Sequence, residues 1–235
     1  MHQAAHALPH YLQSATVVVT HSDWAASWVA ASTTAPVRVA RLPAAPYENS
    51  GGATGVSVQS DAPAPVVVPG IVNRHKMVPT AIRAFAASGL AGAGHELVIL
   101  GPCDTRMEAG LRLIARRARV EQSLRFMNPQ EHRDFLAYLA SALAVVTLRE
   151  SNTEAQSAAV LSGLLSGRPV IATDDGSVQD LPDDIVLKVG ASDVQAQVAR
   201  LLVAIADGTM DVGARVRRAR SWVRRNHSSA GYVDV

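Results

Sequence analysis

The chain has 235 residues, of which 48 % are hydrophobic and 4 % aromatic, so it can bury a large core built mainly from Ala, Val, Leu and Ile. The net charge is only +2 and the basic residues concentrate near the C-terminal end, which gives no reason to expect a nucleic-acid-binding protein. The single cysteine, Cys103, excludes an intramolecular disulfide and a metal site built from cysteines.

The first residues show no positively charged stretch followed by an apolar core, so we expect no signal peptide. The longest nearly apolar run, "LAYLASALAVVTL", falls short of the roughly 20 residues that cross a bilayer. We therefore expect a cytoplasmic protein, and association with a membrane surface stays open.

The first forty residues predict a small set of elements. Ala15 to Ser22 is a β-branched run typical of a strand, the following "DWAASWVAA" predicts a helix capped by Ser22 or Asp23, and "VRVARL" predicts a second strand. From Pro43 to Pro65 the composition changes to Pro, Gly, Ser, Asn and Ala without periodicity, which predicts a linker.

From about residue 64 short apolar runs alternate with helical patterns. The runs "PVVVPG", "ELVILG", "LRFM", "LAVVTL", "PVIAT" and "DIVLKV" predict strands. The intervening helices are predicted over 76–89, 105–120, 129–141, 153–167, 193–208 and 212–226, with Pro129 near one N-terminus and Gly167 as a C-terminal cap. This alternation predicts an α/β fold with a Rossmann-like, doubly wound parallel sheet.

Ligands bind such sheets beyond the carboxyl ends of the strands. The loops expected there are "PGIVNRHK", "GPCD", "MNPQ", "RESNTE" and "TDDGS". Their cations, together with helix N-termini, suit a diphosphate, and their carboxylates suit sugar hydroxyls. There is no G-x-G-x-x-G after the first strand and no G-x-x-x-x-G-K-[ST], which disfavours a dinucleotide oxidoreductase and a nucleoside triphosphatase.

Several of these motifs, in this order and spacing, resemble the donor-binding half of the retaining GT-B glycosyltransferases of group 1 (family 4-like). The matching stretches are "GIVNRHKMVPTAIRAF", "LVILG", Glu154 followed by "GRPVIAT", then Gly176 and Asp180, and they cover about 170 residues from Pro65 to the C-terminus. The resemblance implies transfer of a sugar from a nucleotide diphosphate sugar to a saccharide or lipid-linked acceptor, in polysaccharide biosynthesis by a bacterial enzyme. It implies no metal and no cofactor beyond the donor substrate.

The resemblance also implies a donor site, although it identifies no catalytic residue. The donor-binding residues expected from it are Gly70, Arg74, Lys76, Arg149, Glu154, Ser157 and Ser162. Lys76 and the helix N-termini would stabilise the leaving diphosphate.

Three positions depart from the family pattern. Ser162 stands where the second Glu of the E-x7-E motif holds the ribose, Ile71 replaces a phosphate-binding Arg, and "EAQS" replaces "EGFG", whose glycines let the backbone approach the diphosphate. Glu154 has the alternative of being a solvated acid in the first turn of a helix, and Arg74 that of an exposed loop cation.

Residues 1–63 resemble the end of the acceptor-binding half plus the linker, and residues 64–235 resemble the donor-binding domain. An acceptor half needs roughly 150 to 200 residues, so three arrangements stay open: a fragment of a longer protein, an acceptor half on a partner chain, or a lost one. A homo-oligomer also stays open.

Two other functions stay open: a non-catalytic GT-B-like module that scaffolds a partner chain or binds saccharide, and, less favoured, a nucleotide-sugar epimerase of the same architecture. We expect the basic residues from Arg215 to Arg225 to form a solvated helix face, with a lipid surface as the alternative. His75, His132 and His227 are expected at the surface, and Cys103 is expected to be buried and inert.

Overall fold

A computed structural model of the chain describes residues 12–44, 63–128, 131–150 and 154–233, and every structural statement below concerns these ranges. The strands are β1 Val18–Thr20, β2 Val37–Val39, β3 Val66–Pro69, β4 Leu97–Leu100, β5 Leu124–Met127, β6 Ala144–Thr147, β7 Val170–Thr173 and β8 Leu187–Val189. The α-helices are α1 Asp23–Ala30, α2 Val78–Ser88, α3 Thr105–Arg117, α4 His132–Ser141, α5 Ala158–Ser166, α6 Val194–Ala206, α7 Gly213–Asn226 and α8 Ser229–Val233. Three short 3₁₀ turns lie at Leu90–Ala93, Glu121–Ser123 and Gly176–Val178.

Strands β3 to β8 form one fully parallel sheet in the order β5-β4-β3-β6-β7-β8. Val66 of β3 lies beside Leu97 of β4 on one side and beside Ala144 of β6 on the other. The predicted Rossmann-like fold is confirmed, because this order is that of a doubly wound sheet.

Helices cover both faces of this sheet because its strands are apolar on both faces. Alternate residues of β3 separate into two cores: Val66 and Val68 pack with α2, α3 and α6, while Val67 packs with α4, α5 and α7. The helix predicted over 76–89 is confirmed as α2, in which Val78, Ile82 and Phe85 recur at helical spacing and are all buried. Gly167 ends α5 in the left-handed conformation (φ 80°), as its position predicted.

The N-terminal segment forms a separate two-stranded parallel sheet from β1 and β2. As predicted, Ser22 caps α1, its side chain accepting a hydrogen bond from the backbone N–H of Ala25 at 3.1 Å. A second cap comes from far along the chain, because Asp180 accepts from the N–H of Trp24 at 2.9 Å. The N-terminal segment therefore contacts the loop that follows β7 of the six-stranded sheet. The boundary at residue 63 stays a prediction, and most of the predicted linker lies outside the described residues.

Some predicted boundaries and exposures are wrong. Helix α5 begins at Ala158, not near residue 153, because Ser157 is extended (φ −104°, ψ 110°) and the Glu154 side chain is held at the end of β6. Glu154 is therefore not a first-turn residue. Helix α4 begins at His132, and Pro129 lies outside the described residues.

His227 is buried rather than exposed, being only 2 % accessible. Its Nδ1 lies 2.8 Å from the Leu42 carbonyl, and its ring packs near Trp222. Cys103 is half-buried rather than buried, and burial is the main cause that raises the pKa of its thiol, which disfavours the reactive thiolate. His75 and His132 are exposed, as expected.

No helix within the described ranges is long and apolar enough to cross a membrane.

Candidate functional site

Strands β3 and β6 lie side by side at the centre of the sheet, and the chain leaves them in opposite directions. The connection from β3 leads to β4 on one side, whereas that from β6 leads to β7 on the other. The loops at their carboxyl ends therefore diverge and leave a crevice, which is where open α/β sheets bind ligands.

The loop after β3 turns at Gly70, which has a positive φ of 89°. A side chain there would place its Cβ 2.5 Å from the Lys76 ammonium nitrogen. The neighbouring Gly101, after β4, is also constrained, because a Cβ there would lie 2.8 Å from the carbonyl carbon of Gly70. Close approach of the backbone therefore requires glycine at position 101, whereas at position 70 the positive φ favours it.

Asn73 shapes the loop that leads to Lys76. Its side-chain oxygen accepts from the backbone N–H of His75 at 3.0 Å and of Lys76 at 3.2 Å, the pattern of an Asx turn. The sequence reasoning passed over Asn73, although Asn in a strand-to-helix loop is a recognisable turn signal.

The turn brings Lys76 opposite Arg149, which follows β6. The two residues form an isolated antiparallel bridge, flanked by hydrogen bonds from the N–H of Met77 to Leu148 O at 3.2 Å and from that of Glu150 to His75 O at 3.0 Å. Directly opposite residues of an antiparallel pair project their side chains to the same face. The backbone thus directs the lysine and the arginine into one recess.

Lys76 is 9 % exposed, and its Nζ donates to the Pro69 carbonyl at 2.5 Å. Burial is the main cause that lowers the pKa of Lys76 from its usual 10.5 to about 8, with the positive charge of Arg149 as a second cause. Glu154 acts in the opposite direction and raises it. A buried ammonium held beside a second cation is costly unless an anion joins it.

Arg149 is the second cation of the recess. Its backbone N–H donates to the Thr173 hydroxyl at 3.1 Å, and its guanidinium pairs with Glu154 at 2.6 Å. The arginine side chain is 15 % exposed, whereas that of Glu154 is 40 % exposed. The pair therefore spans from the inner wall of the recess to its mouth.

The start of α5 forms the opposite wall. Ser157 precedes the helix, is 3 % exposed and does not cap the helix with its side chain. The recess is lined by Val68, Pro69, Lys76, Met77, Val78, Ala81, Val146, Thr147, Leu148, Arg149, Ser157 and Ala159. An α-helix N-terminus presents N–H groups and partial positive charge, so this wall adds to the attraction for an anion.

The structure brings together five of the seven expected site residues: Gly70, Lys76, Arg149, Glu154 and Ser157. It does not bring in Arg74, which is exposed and lies with its Nε 3.4 Å from the ring of His75. Ile71 is also turned outward and is 65 % exposed.

Ser162 is half-buried on α5, five residues after Ser157. Because α5 starts at Ala158, Ser162 lies only about one turn inside the helix, on the same face as Ala158. Ser162 does not line the recess.

Asp180 joins the N-terminal segment to the main domain. Its carboxylate caps α1 through Trp24 and so ties the N-terminal segment to the loops after β7. Within the described residues, no group of three or more His, Cys, Asp or Glu side chains lies close enough to hold a metal ion.

No protein-family model matches the sequence, and no curated protein is similar to it in sequence. Solved structures do share its fold. Sucrose-phosphate synthase from Thermosynechococcus elongatus matches 96 % of this chain with a TM-score of 0.75 and 18 % identity, over 58 % of the synthase chain. HepE from Anabaena, solved in complex with UDP and glucose, matches 94 % of this chain with a TM-score of 0.72 and 13 % identity, over 62 % of its own chain.

A shorter structure matches as well. The C-terminal domain of a group 1 glycosyl transferase, LpcC from Francisella tularensis, matches 72 % of this chain with a TM-score of 0.60 and 16 % identity, over 89 % of that domain. The chain therefore shares the fold of GT-B glycosyltransferases over part of their length, since it spans about three fifths of the two longer proteins.

Proposed function

We propose that this chain is the donor-binding part of a glycosyltransferase, which takes a sugar from a nucleotide diphosphate sugar and transfers it to a saccharide or lipid-linked acceptor. The observation that carries the proposal is the pairing of Lys76 with Arg149 in one recess at the switch point of the sheet. A cytoplasmic bacterial enzyme of polysaccharide synthesis is the setting that suits it.

The charge of the recess supports a diphosphate ligand. Lys76 and Arg149 supply two positive charges and Glu154 supplies one negative charge, and the start of α5 adds a partial positive charge. A diphosphate would offset the excess positive charge and would favour the protonated form of the buried lysine. Developing charge on a leaving diphosphate would be stabilised by the same groups, which is the largest contribution expected in catalysis of this kind.

The neighbours support the same ligand class, since HepE was solved with UDP and glucose. We place the diphosphate against Lys76 and the start of α5, with the sugar towards Glu154 at the mouth of the recess. Ser162 would face the ribose end, where an uncharged hydroxyl replaces a carboxylate. Arg74 and Ile71 point to solvent and contribute no phosphate contact in this arrangement.

Titration calorimetry with UDP and GDP tests the proposal. We expect one of them to bind the wild type and Lys76→Met to weaken binding by roughly 10- to 150-fold, the cost of a charge-assisted hydrogen bond of about 1.5 to 3 kcal/mol. Ser162→Glu should tighten binding by restoring a ribose contact. Lys188→Met is the matched control, because that lysine lies on β8 and pairs with Asp183. Equal affinity of Lys76→Met and wild type would exclude the proposed site.

A non-catalytic module is the second candidate, and one observation favours it. Arg149 already engages Glu154, the residue proposed to meet the sugar, and Ser162 gives the ribose no carboxylate. Failure of the wild type, Lys76→Met and Ser162→Glu alike to bind UDP or GDP would favour that candidate over a transferase.

A further inference from the structure

The Arg149–Glu154 ion pair connects the lining of the recess, where we place the diphosphate, to a more exposed carboxylate, towards which we place the sugar. Its inner member, Arg149, shares a face with the buried Lys76, and its outer member, Glu154, is at the mouth. Arg149 can therefore pair with Glu154 or with a donor phosphate, and Glu154 can contact Arg149 or a donor sugar.

We propose that this ion pair is a ligand-sensitive latch, in which a bound diphosphate draws Arg149 away from Glu154 and leaves the Glu154 carboxylate to accept hydrogen bonds from the sugar. The inference rests on the proposed function and adds to it a positioning role for Arg149. Such a latch would make the diphosphate and the sugar bind cooperatively, because diphosphate binding would release Glu154 from Arg149 and Glu154 could then bind the sugar.

The backbone at Arg149 is held firmly, so that only its side chain needs to move. Its N–H donates to Thr173, and the next residue donates to His75 across the bridge to Lys76. A guanidinium fixed at its base in this way can swing between two acceptors without disturbing the sheet. Phosphate oxygens are as suitable as a carboxylate for its planar set of N–H donors.

The electrostatics favour the exchange. In the present arrangement one carboxylate faces two cations, and Arg149 and Lys76 repel each other. A diphosphate carries more negative charge than Glu154 and has enough oxygens to contact both cations at once. The loss of a half-exposed ion pair is a small cost beside that gain.

A rival explanation is that the pair only fixes the chain between β6 and α5. The two explanations predict different effects of Glu154→Gln on diphosphate binding. If Glu154 competes with the ligand for Arg149, then Glu154→Gln tightens diphosphate binding. If the pair only maintains the structure, then Glu154→Gln leaves binding unchanged or weakens it.

The experiment is a double-mutant cycle measured by calorimetry with UDP and GDP on wild type, Glu154→Gln, Arg149→Met and the double variant. We expect Glu154→Gln to tighten binding about 3- to 10-fold and Arg149→Met to weaken it by at least about 10-fold. In the Arg149→Met background, Glu154→Gln should have no effect. Glu108→Gln, which breaks an Arg–Glu pair of 2.8 Å on α3 away from the recess, is the matched control and should leave binding unchanged.

Two outcomes overturn the latch. Unchanged or weaker binding by Glu154→Gln would assign the ion pair a structural role. An equal gain in affinity from Glu154→Gln in the wild-type and Arg149→Met backgrounds would show that Glu154 only repels the ligand. Either result leaves the proposed donor site intact, since the wild type still binds and Lys76→Met still binds more weakly. Absence of binding by all four proteins would overturn the donor site and the latch together.

Discussion

Replacing Lys76 by Met should make the folded protein more stable at neutral pH while removing its anion site. The buried ammonium has its pKa lowered from 10.5 to about 8, a difference worth about 3 kcal/mol against the folded state at pH 7. Methionine fills similar space without charge but leaves the Pro69 carbonyl without its donor, at a cost of about 1 to 2 kcal/mol. The net gain in the free energy of unfolding should be about 1 to 2 kcal/mol at pH 7.

The difference in stability between Lys76→Met and the wild type should depend on pH. Because the folded-state pKa lies below the unfolded one, the unfolded chain binds more protons from about pH 8 to 10.5, and the wild type gains stability as the pH rises through that range. Between pH 7 and 9.5 the penalty on Lys76 should shrink by about 2 kcal/mol, so the advantage of Lys76→Met should vanish by pH 9.5.

Urea denaturation of both proteins at the two pH values measures this effect. Lys188→Met serves as the control for removal of a lysine charge outside the recess, because Lys188 lies on β8 and pairs with the exposed Asp183. A Lys76→Met protein that is less stable than wild type by the same amount at both pH values would show that Lys76 carries no burial penalty.

Three further predictions concern protons and docking. UDP or GDP binding should raise the pKa of Lys76 above its value of about 8 in the unbound protein. Calorimetry in buffers of different ionisation enthalpy should therefore detect proton uptake at pH 8.5 and much less at pH 6.5. Proton uptake that persists in Lys76→Met would come from another group. Burial is the main cause that lowers the pKa of His227, aided by Arg41 and opposed by the hydrogen bond with Leu42. The wild type should therefore lose stability as the pH falls below about 6.5, and urea titrations should show a smaller loss in His227→Gln. An equal loss in both proteins would contradict this prediction. Asp180→Ala should cost about 0.5 to 2 kcal/mol in the local stability of α1 and speed its amide hydrogen exchange, whereas unchanged exchange would show that the cap from Asp180 is dispensable.

The fold could be predicted from the sequence because its signals are local. The β-branched run of β3, for example, is buried on both faces, and Val78, Ile82 and Phe85 mark the inner face of α2 at helical spacing. Such patterns depend on residues a few positions apart, and the structure preserves them.

The site was predicted only in part because its contacts join distant residues. Lys76 and Arg149 are 73 positions apart, and their bridge exists only once β3 and β6 are neighbours. The start of α5 was misplaced for a related reason, since the ion pair with Arg149 holds Glu154 outside the helix. His227 was expected at the surface because no neighbouring residue in the sequence indicates its hydrogen bond with the carbonyl of Leu42, which is far away in the chain.

The most direct test of a donor site at the switch point is a crystal structure of this chain soaked with UDP or GDP, whichever binds more tightly. We expect the diphosphate between the ends of β3 and β6, with phosphate oxygens within hydrogen-bond distance of Lys76 Nζ and of the first N–H groups of α5. A diphosphate bound elsewhere on the chain, with that recess empty, would contradict this expectation.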